Sequence, residues 1–271
     1  MPELPEVETI KNDLAPVVAG RQFVGVTFLC PQMVRQLSPD ELQQRLIGQT
    51  IQELVRRGKY LIFRLNSGEA LLLHLRMSGS LLLKPSPAEP NSYTRALFNL
   101  ENGLELHFSD RRKLGTIELV TDEAEVTGKL GPEPLDPGFT TEVLSERLSR
   151  RQAPIKAVLC DQAFLAGIGN MYADEALFLA RIHPLQPARA LSEEQIERLH
   201  RFIAEVLEAA IGNRGATISD YSDAYGQPGV HQFSFSVAHR GGEPCPVCGT
   251  AIQRIAIRNR GTYFCPNCQK K

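Results

Sequence analysis

The period of the apolar positions changes along the chain. Val7, Ile10, Leu14 and Val17 recur at helical spacing, which predicts a helix from Pro5 to about Val18. From Gln22 to Thr121 the pattern is that of short strands. Tyr60–Leu65, Ala70–Leu75, Ala96–Leu100, Leu104–Phe108 and Thr116–Val120 are examples, divided by turn signals such as Asn66-Ser67-Gly68 and Asn102-Gly103. Strands of this kind bury one face each as an antiparallel β-sandwich, with the N-terminal helix packed against it. A Pro/Gly run from Leu130 to Gly138 reads as a linker. Helical spacing then returns over Thr141–Arg150 and Asn170–Ala180. A further helix opens at the capping box Ser192-Glu193-Glu194-Gln195, with Ile196, Leu199, Ile203, Val206 and Leu207 on one face. Ile252–Ile257 alternates like a strand again. The fold class predicted is α+β, with a sandwich domain over 1–131, a linker over 132–140, a helical domain over 141–234 and a small C-terminal domain over 235–271.

Composition narrows the class. The 271 residues are 42% apolar, enough for a folded core. No apolar run reaches membrane-spanning length, since Ala70–Leu75 is interrupted by His74 and followed by Arg76. The acidic N-terminus has no signal-peptide core, which predicts a cytoplasmic protein with no membrane partner. Thirty basic against 31 acidic residues carry no message about nucleic acid, but their distribution does. From Arg240 onward the tail holds Arg240, Arg254, Arg258, Arg260, Lys270 and Lys271 against Glu243 alone, a locally basic face suited to phosphate.

Three motifs carry chemistry. Cys245-Pro-Val-Cys248 and Cys265-Pro-Asn-Cys268 have the spacing of one tetrahedral, structural Zn2+ site on a β-hairpin ribbon; a cytosolic chain disfavours the alternative of disulfides. Cys30 and Cys160 lie outside that pattern and read as core thiols. Gly167-Ile168-Gly169-Asn170 places glycines before a helix start, where exposed N–H groups favour an anion, with Arg150, Arg151 and Lys156 shortly upstream. The third motif is the start, Met1-Pro2-Glu3-Leu4-Pro5-Glu6. Removal of Met1 leaves Pro2 as a free secondary amine, a nucleophile at a far lower pKa than lysine, with the Glu3 carboxyl beside it.

Taken together these residues resemble the formamidopyrimidine-DNA glycosylases, the Fpg/Nei group of base-excision repair enzymes. The resemblance runs through Pro2–Thr9, Arg57-Gly58-Lys59-Tyr60-Leu61, His74–Gly79, Leu130–Leu135, Ile155-Lys156, Ala166–Leu177 and the terminal finger ending at Gln269. It implies an N-terminal β-sandwich, a helix–two-turn–helix domain and a zinc finger. The implied partner is damaged double-stranded DNA, held in a cleft by a monomer of bacterial, nucleoid-associated type. It also implies that a damaged purine is flipped out, that the Pro2 nitrogen attacks C1′ and forms a Schiff base, and that β- and δ-elimination follow. Glu3 matches the family's general acid, Lys59 its proton donor for β-elimination, and Arg260 a phosphate-binding residue also assigned to the δ-step. Glu6 either orients the site or acts as a charge at a helix N-terminus.

By the same resemblance Lys156 and Asn170 contact phosphates. Met77, Arg112 and Leu114 fill the gap left by the flipped base, Leu114 standing where the family has Phe. Tyr93 and Gln152 stand at further DNA contacts where His and a basic residue are usual. Arg76 replaces a Gly before Met77, and Ala238-His239 replaces Tyr-Gly before Arg240. Residues 217–232 occupy the place of the base-capping loop. The substrates expected are oxidised purines, 8-oxoguanine and formamidopyrimidines. The alternatives are an endonuclease VIII-like enzyme for oxidised pyrimidines and a non-catalytic damage-binding protein on the same scaffold.

Overall fold

The computed structural model describes residues 2–271, which divide into two compact units. The first comprises residues up to Lys129 together with Asn213–Val230. Helix α1 (Leu4–Val18) starts with Pro5 in its first turn and buries Val7, Ile10, Leu14 and Val18. Eight strands follow: β1 (Phe23–Phe28), β2 (Ile51–Arg57), β3 (Tyr60–Leu65), β4 (Ala70–His74), β5 (Gly79–Pro85), β6 (Thr94–Leu100), β7 (Leu104–Asp110) and β8 (Thr116–Val120). They form two antiparallel four-stranded sheets, ordered β1-β6-β7-β5 and β2-β3-β4-β8. Phe23, Phe63, Phe98 and Phe108 fill the shared core with Val7, Ile10 and Leu14 of α1, as the sandwich reading requires.

The strand-rich region also contains a helix, α2 (Pro39–Leu46). Ser38 caps it by accepting from the Glu41 N–H at 3.2 Å, and it contributes Leu42 and Leu46 to the core. A short helix, α3 (Ala124–Thr127), brings Val126 onto the outer apolar cluster of Ile62, Ala70, Leu72 and Val120.

The second unit holds α4 (Thr141–Ser149), α5 (Ile155–Leu159), α6 (Asn170–Leu179) and α7 (Glu193–Gly212), then the hairpin β9 (Gln253–Ile257) and β10 (Arg260–Phe264). The capping box at α7 forms as expected: Gln195 Oε1 accepts from the Ser192 N–H at 3.0 Å and Ser192 Oγ from the Gln195 N–H at 3.3 Å.

Two boundaries differ from the sequence reading. The Pro/Gly run around 132–140 is no free linker: the Gly131 N–H bonds the Gln162 carbonyl at 2.8 Å, and the Ala166 N–H bonds that of Pro132 at 3.0 Å. Such paired backbone belongs to the helical unit. Residues 213–230, placed by sequence order in the helical domain, instead pack with the sandwich, where Tyr221 and Ala224 join its core.

Candidate active site and metal centre

The first candidate site is built on the start of α1. Pro2 and Glu3 are buried, Glu3 to 2% exposure, and Glu3 occupies the N-cap position. The Glu3 N–H donates to Glu6 Oε2 at 2.8 Å, closing a capping box that fixes the backbone next to the Pro2 nitrogen. Glu6 Oε1 accepts from the Ala216 N–H at 2.8 Å. Glu6 is thus an acid in the first turn of α1 whose carboxylate also bridges two backbone segments, in keeping with both readings of it.

Lys59 sits in the two-residue loop of the β2–β3 hairpin, where Gly58 takes φ +58°, a conformation glycine adopts without strain. Arg56 ties this loop to α1, since its Nε lies 2.5 Å from Glu8 Oε2 while its other arm donates to the Gly58 carbonyl at 3.1 Å. Burial opposes the charge on Glu8, but Lys11 and Arg56 hold its carboxyl below the usual carboxylate range. The Lys59 side chain is buried. Burial, with the cations of Arg76 and Lys59 nearby, pushes His74 down to about 3, so this imidazole is neutral and its Nδ1 accepts from the Arg76 N–H at 3.0 Å.

Met77, Arg112, Leu114 and Tyr93 are all exposed. The turns bearing the first three meet at Asp110, which is fully buried. One Asp110 oxygen accepts from Ser78 Oγ at 2.6 Å and the Arg112 N–H at 3.1 Å; the other accepts from the N–H groups of Leu114 and Gly115 at 2.7 and 2.8 Å. The Asp110 N–H donates to the Tyr93 carbonyl at 2.8 Å, so the fourth residue is held alongside. Neither Asp110 nor Ser78 was singled out from sequence, although Asp110 followed by Lys113-Leu114-Gly115 has the signature of a side chain capping its own turn.

In the second unit, Lys156 is not a surface cation. It is 1% exposed and paired with Asp174 on α6, and it also donates to the Asn170 carbonyl. Asp174 accepts from the Tyr263 N–H at 3.1 Å, and Asn170 Nδ2 donates to the Gly261 carbonyl at 2.7 Å. The three residues therefore strap α5, α6 and the β9–β10 hairpin together. Burial raises the Asp174 carboxyl against the pull of Lys156 and the Tyr263 N–H. Next to this strap is a cavity of about 470 Å³ lined by Lys156, Gln162, Arg258 and Arg260, with Arg260 itself exposed at the hairpin turn. Gln152 is exposed in the preceding loop and does not line it. Glu175, also unassigned from sequence, accepts from the N–H groups of Ser236, Val237 and Ala238 at 2.8 Å each, fixing the chain that enters the ribbon.

The four cysteine sulfurs lie within 4.8 Å of one another. Cys245–Cys268 is 3.9 Å, while Cys248–Cys265 and Cys248–Cys268 are 3.5 Å each. These separations exclude disulfides and approach the edge of about 3.8 Å for a tetrahedron with 2.3 Å Zn–S bonds. The donor set fits one Zn2+ with all four positions filled, so the ion's contribution is structural, joining both ends of the ribbon.

The sandwich with its buried N-terminal residues and the helical unit with its four-cysteine ribbon define a zinc-finger protein of mixed α+β class. Family models described as the formamidopyrimidine-DNA glycosylase N-terminal domain, its H2TH domain, and the zinc finger found in FPG and IleRS match residues 1–117, 130–222 and 242–271. Curated formamidopyrimidine-DNA glycosylases from Chloroflexus aurantiacus and Symbiobacterium thermophilum are each 46% identical. They cover 99% of this chain, and the match takes in 98% and 89% of their own lengths. Among solved structures, a Lactococcus lactis FPG mutant in complex with a Fapy-dG containing DNA superposes at TM-score 0.93 with 37% identity over the whole of both chains. The L. lactis Fpg with an abasic site containing DNA gives 0.92 at 37% identity, over 99% of this chain and 100% of that one. The chain belongs to the formamidopyrimidine-DNA glycosylase family, the DNA glycosylases of base-excision repair. No helix among the described residues is long and apolar enough to cross a membrane.

Proposed function

We propose that this chain is a bifunctional DNA glycosylase and AP lyase that removes oxidised purines, 8-oxoguanine and formamidopyrimidines, from duplex DNA as a monomer. The observation that carries this reading is the buried Pro2-Glu3 pair, locked at the start of α1 by the Glu3–Glu6 capping box. With Met1 removed, the Pro2 nitrogen attacks C1′ of a flipped-out nucleotide, the bond from C1′ to the base breaks, and the proton the nitrogen loses balances the one the departing base takes up. Glu3 protonates the ring oxygen, the sugar opens, and the nitrogen lone pair forms an iminium to C1′. The iminium acidifies C2′, and loss of that proton expels the 3′ phosphate, with Lys59 supplying the proton that neutralises the leaving side. A second elimination releases the 5′ phosphate.

Met77, Arg112 and Leu114, aimed by Asp110, occupy the vacated stack. Arg260 clamps a phosphate, a safer role for a guanidinium than proton transfer. Lys156 and Asn170 contact phosphate beside it, and the Lys156–Asp174 pair and the Asn170–Gly261 bond support a second part for them, holding the hairpin that presents Arg260. Borohydride trapping on an 8-oxoguanine duplex tests the reading, and a parallel thymine glycol duplex separates it from a preference for oxidised pyrimidines. An adduct and excision only on thymine glycol would overturn the assigned substrate class.

A further inference from the structure

Arg214 has φ +58°, a backbone conformation that disfavours residues with a Cβ. Its guanidinium explains the arrangement. One terminal nitrogen lies 2.6 Å from Asp13 Oδ2 on α1 and 2.5 Å from Asp223 Oδ2, and Nε donates to Asp223 at 3.0 Å. The Asp13 and Asp223 side chains are 7% and 2% exposed, so two nearly buried carboxylates share one cation. Asp223 also accepts from the N–H groups of Tyr225 and Gln227 at 2.9 Å, and the Tyr225 hydroxyl reaches the Asp13 carbonyl at 3.4 Å. Residues 213–230 are thus stapled to α1 at Asp13. Two residues beyond Arg214, the Ala216 N–H meets the same Glu6 carboxylate that holds the Glu3 N–H. Gly215 leaves room for that approach, since a Cβ there would lie 2.9 Å from Glu6 Oε1.

We propose that Arg214, through its staple on Asp13 and Asp223, is a positioning residue for the Pro2 nucleophile. It keeps residues 213–230 docked, and so keeps Glu6 shared between Ala216 and Glu3. The proposal rests on the reading of Pro2 as the nucleophile. Removing the guanidinium leaves Asp13 and Asp223 facing each other without their counter-ion, and the segment lifts. Glu6 then loses the Ala216 donor, and the backbone beside the Pro2 nitrogen loosens.

Arg214→Gly removes the staple while suiting the left-handed backbone, so backbone strain does not enter the comparison. Arg214→Lys keeps the charge without the fork. In single-turnover excision, Arg214→Gly is expected to slow the rate at saturating duplex about ten- to a hundredfold, as misplacement of a reacting group does. KM should stay within about twofold of the parent, with partial recovery in Arg214→Lys. Amide exchange without DNA should quicken at Glu3 and Ala216 together. An unchanged rate, a loss confined to KM, or a smaller trapped fraction at the parental rate would each overturn the proposal. If the parent forms no borohydride adduct, the assignment of Pro2 fails. The exchange measurement then still decides the coupling, and unchanged exchange at Glu3 would remove it.

Discussion

At the scale of single residues, the chemistry divides between what sequence neighbours supply and what only folding brings together. Pro2, Glu3 and the four cysteines announce themselves because their partners are adjacent or regularly spaced. Lys156 shows the opposite case. A lysine after Arg150 and Arg151 reads as one more phosphate contact; its further part as an anchor for α6 is not legible, since its partner Asp174 lies eighteen positions away and becomes a neighbour only when α5 and α6 pack. Asp110 escapes the sequence reading for a related reason: its bonds run to Ser78 as well as to its own turn. The sharpest residue-level expectation concerns Glu3. Glu3→Gln keeps the size of the side chain but not its acid, so excision of 8-oxoguanine should fall by about 10²–10⁴. Single-turnover kinetics measure this, and a fall of less than tenfold would assign proton donation elsewhere.

Among elements, those with strong alternation or helical spacing are legible and those without are not. β6 buries every second residue, whereas β2 shows no such alternation, because Glu53 and Arg56 serve ion pairs, and Arg56 the Lys59 turn, as well as the sheet. α2 has only Leu42 and Leu46 as its apolar face, too few to stand out. The ribbon hairpin is legible in its cysteines, but its attachment to α6 is not, since Asp174 and Asn170 reach backbone groups at Tyr263 and Gly261. This attachment predicts a stability effect. Asp174→Ala leaves the Lys156 ammonium buried without its counter-ion and should destabilise the helical unit by about 3–5 kcal/mol. Thermal unfolding is the measure, with amide exchange in β10 expected to quicken in parallel; Asp174→Asn, which keeps an acceptor for the Tyr263 N–H, should be milder.

For the molecule as a whole, order along the chain and grouping in space part company at residues 213–230. These residues follow α7 in sequence yet belong to the sandwich unit, because Arg214 and Asp13, 201 positions apart, form an ion pair that no local pattern encodes. Two whole-protein measurements follow. Removing Zn2+ with a chelator frees four thiolates and should unfold the ribbon, abolishing DNA binding while leaving the sandwich's β-sheet circular dichroism in place; retained binding would make the metal dispensable. Duplex affinity should fall steeply with salt, each neutralised phosphate adding about −0.9 to the log–log slope, so Arg260→Ala should flatten that slope by about 1. An unchanged slope would take Arg260 out of the clamp. The central claim, that the Pro2 nitrogen is the nucleophile, is tested most directly by borohydride trapping on 8-oxoguanine duplex, followed by mass spectrometry of the N-terminal peptide. A DNA adduct on Pro2 is expected in protein lacking Met1 and none in protein that keeps it. An adduct on a lysine, or equal trapping by both forms, would contradict the claim.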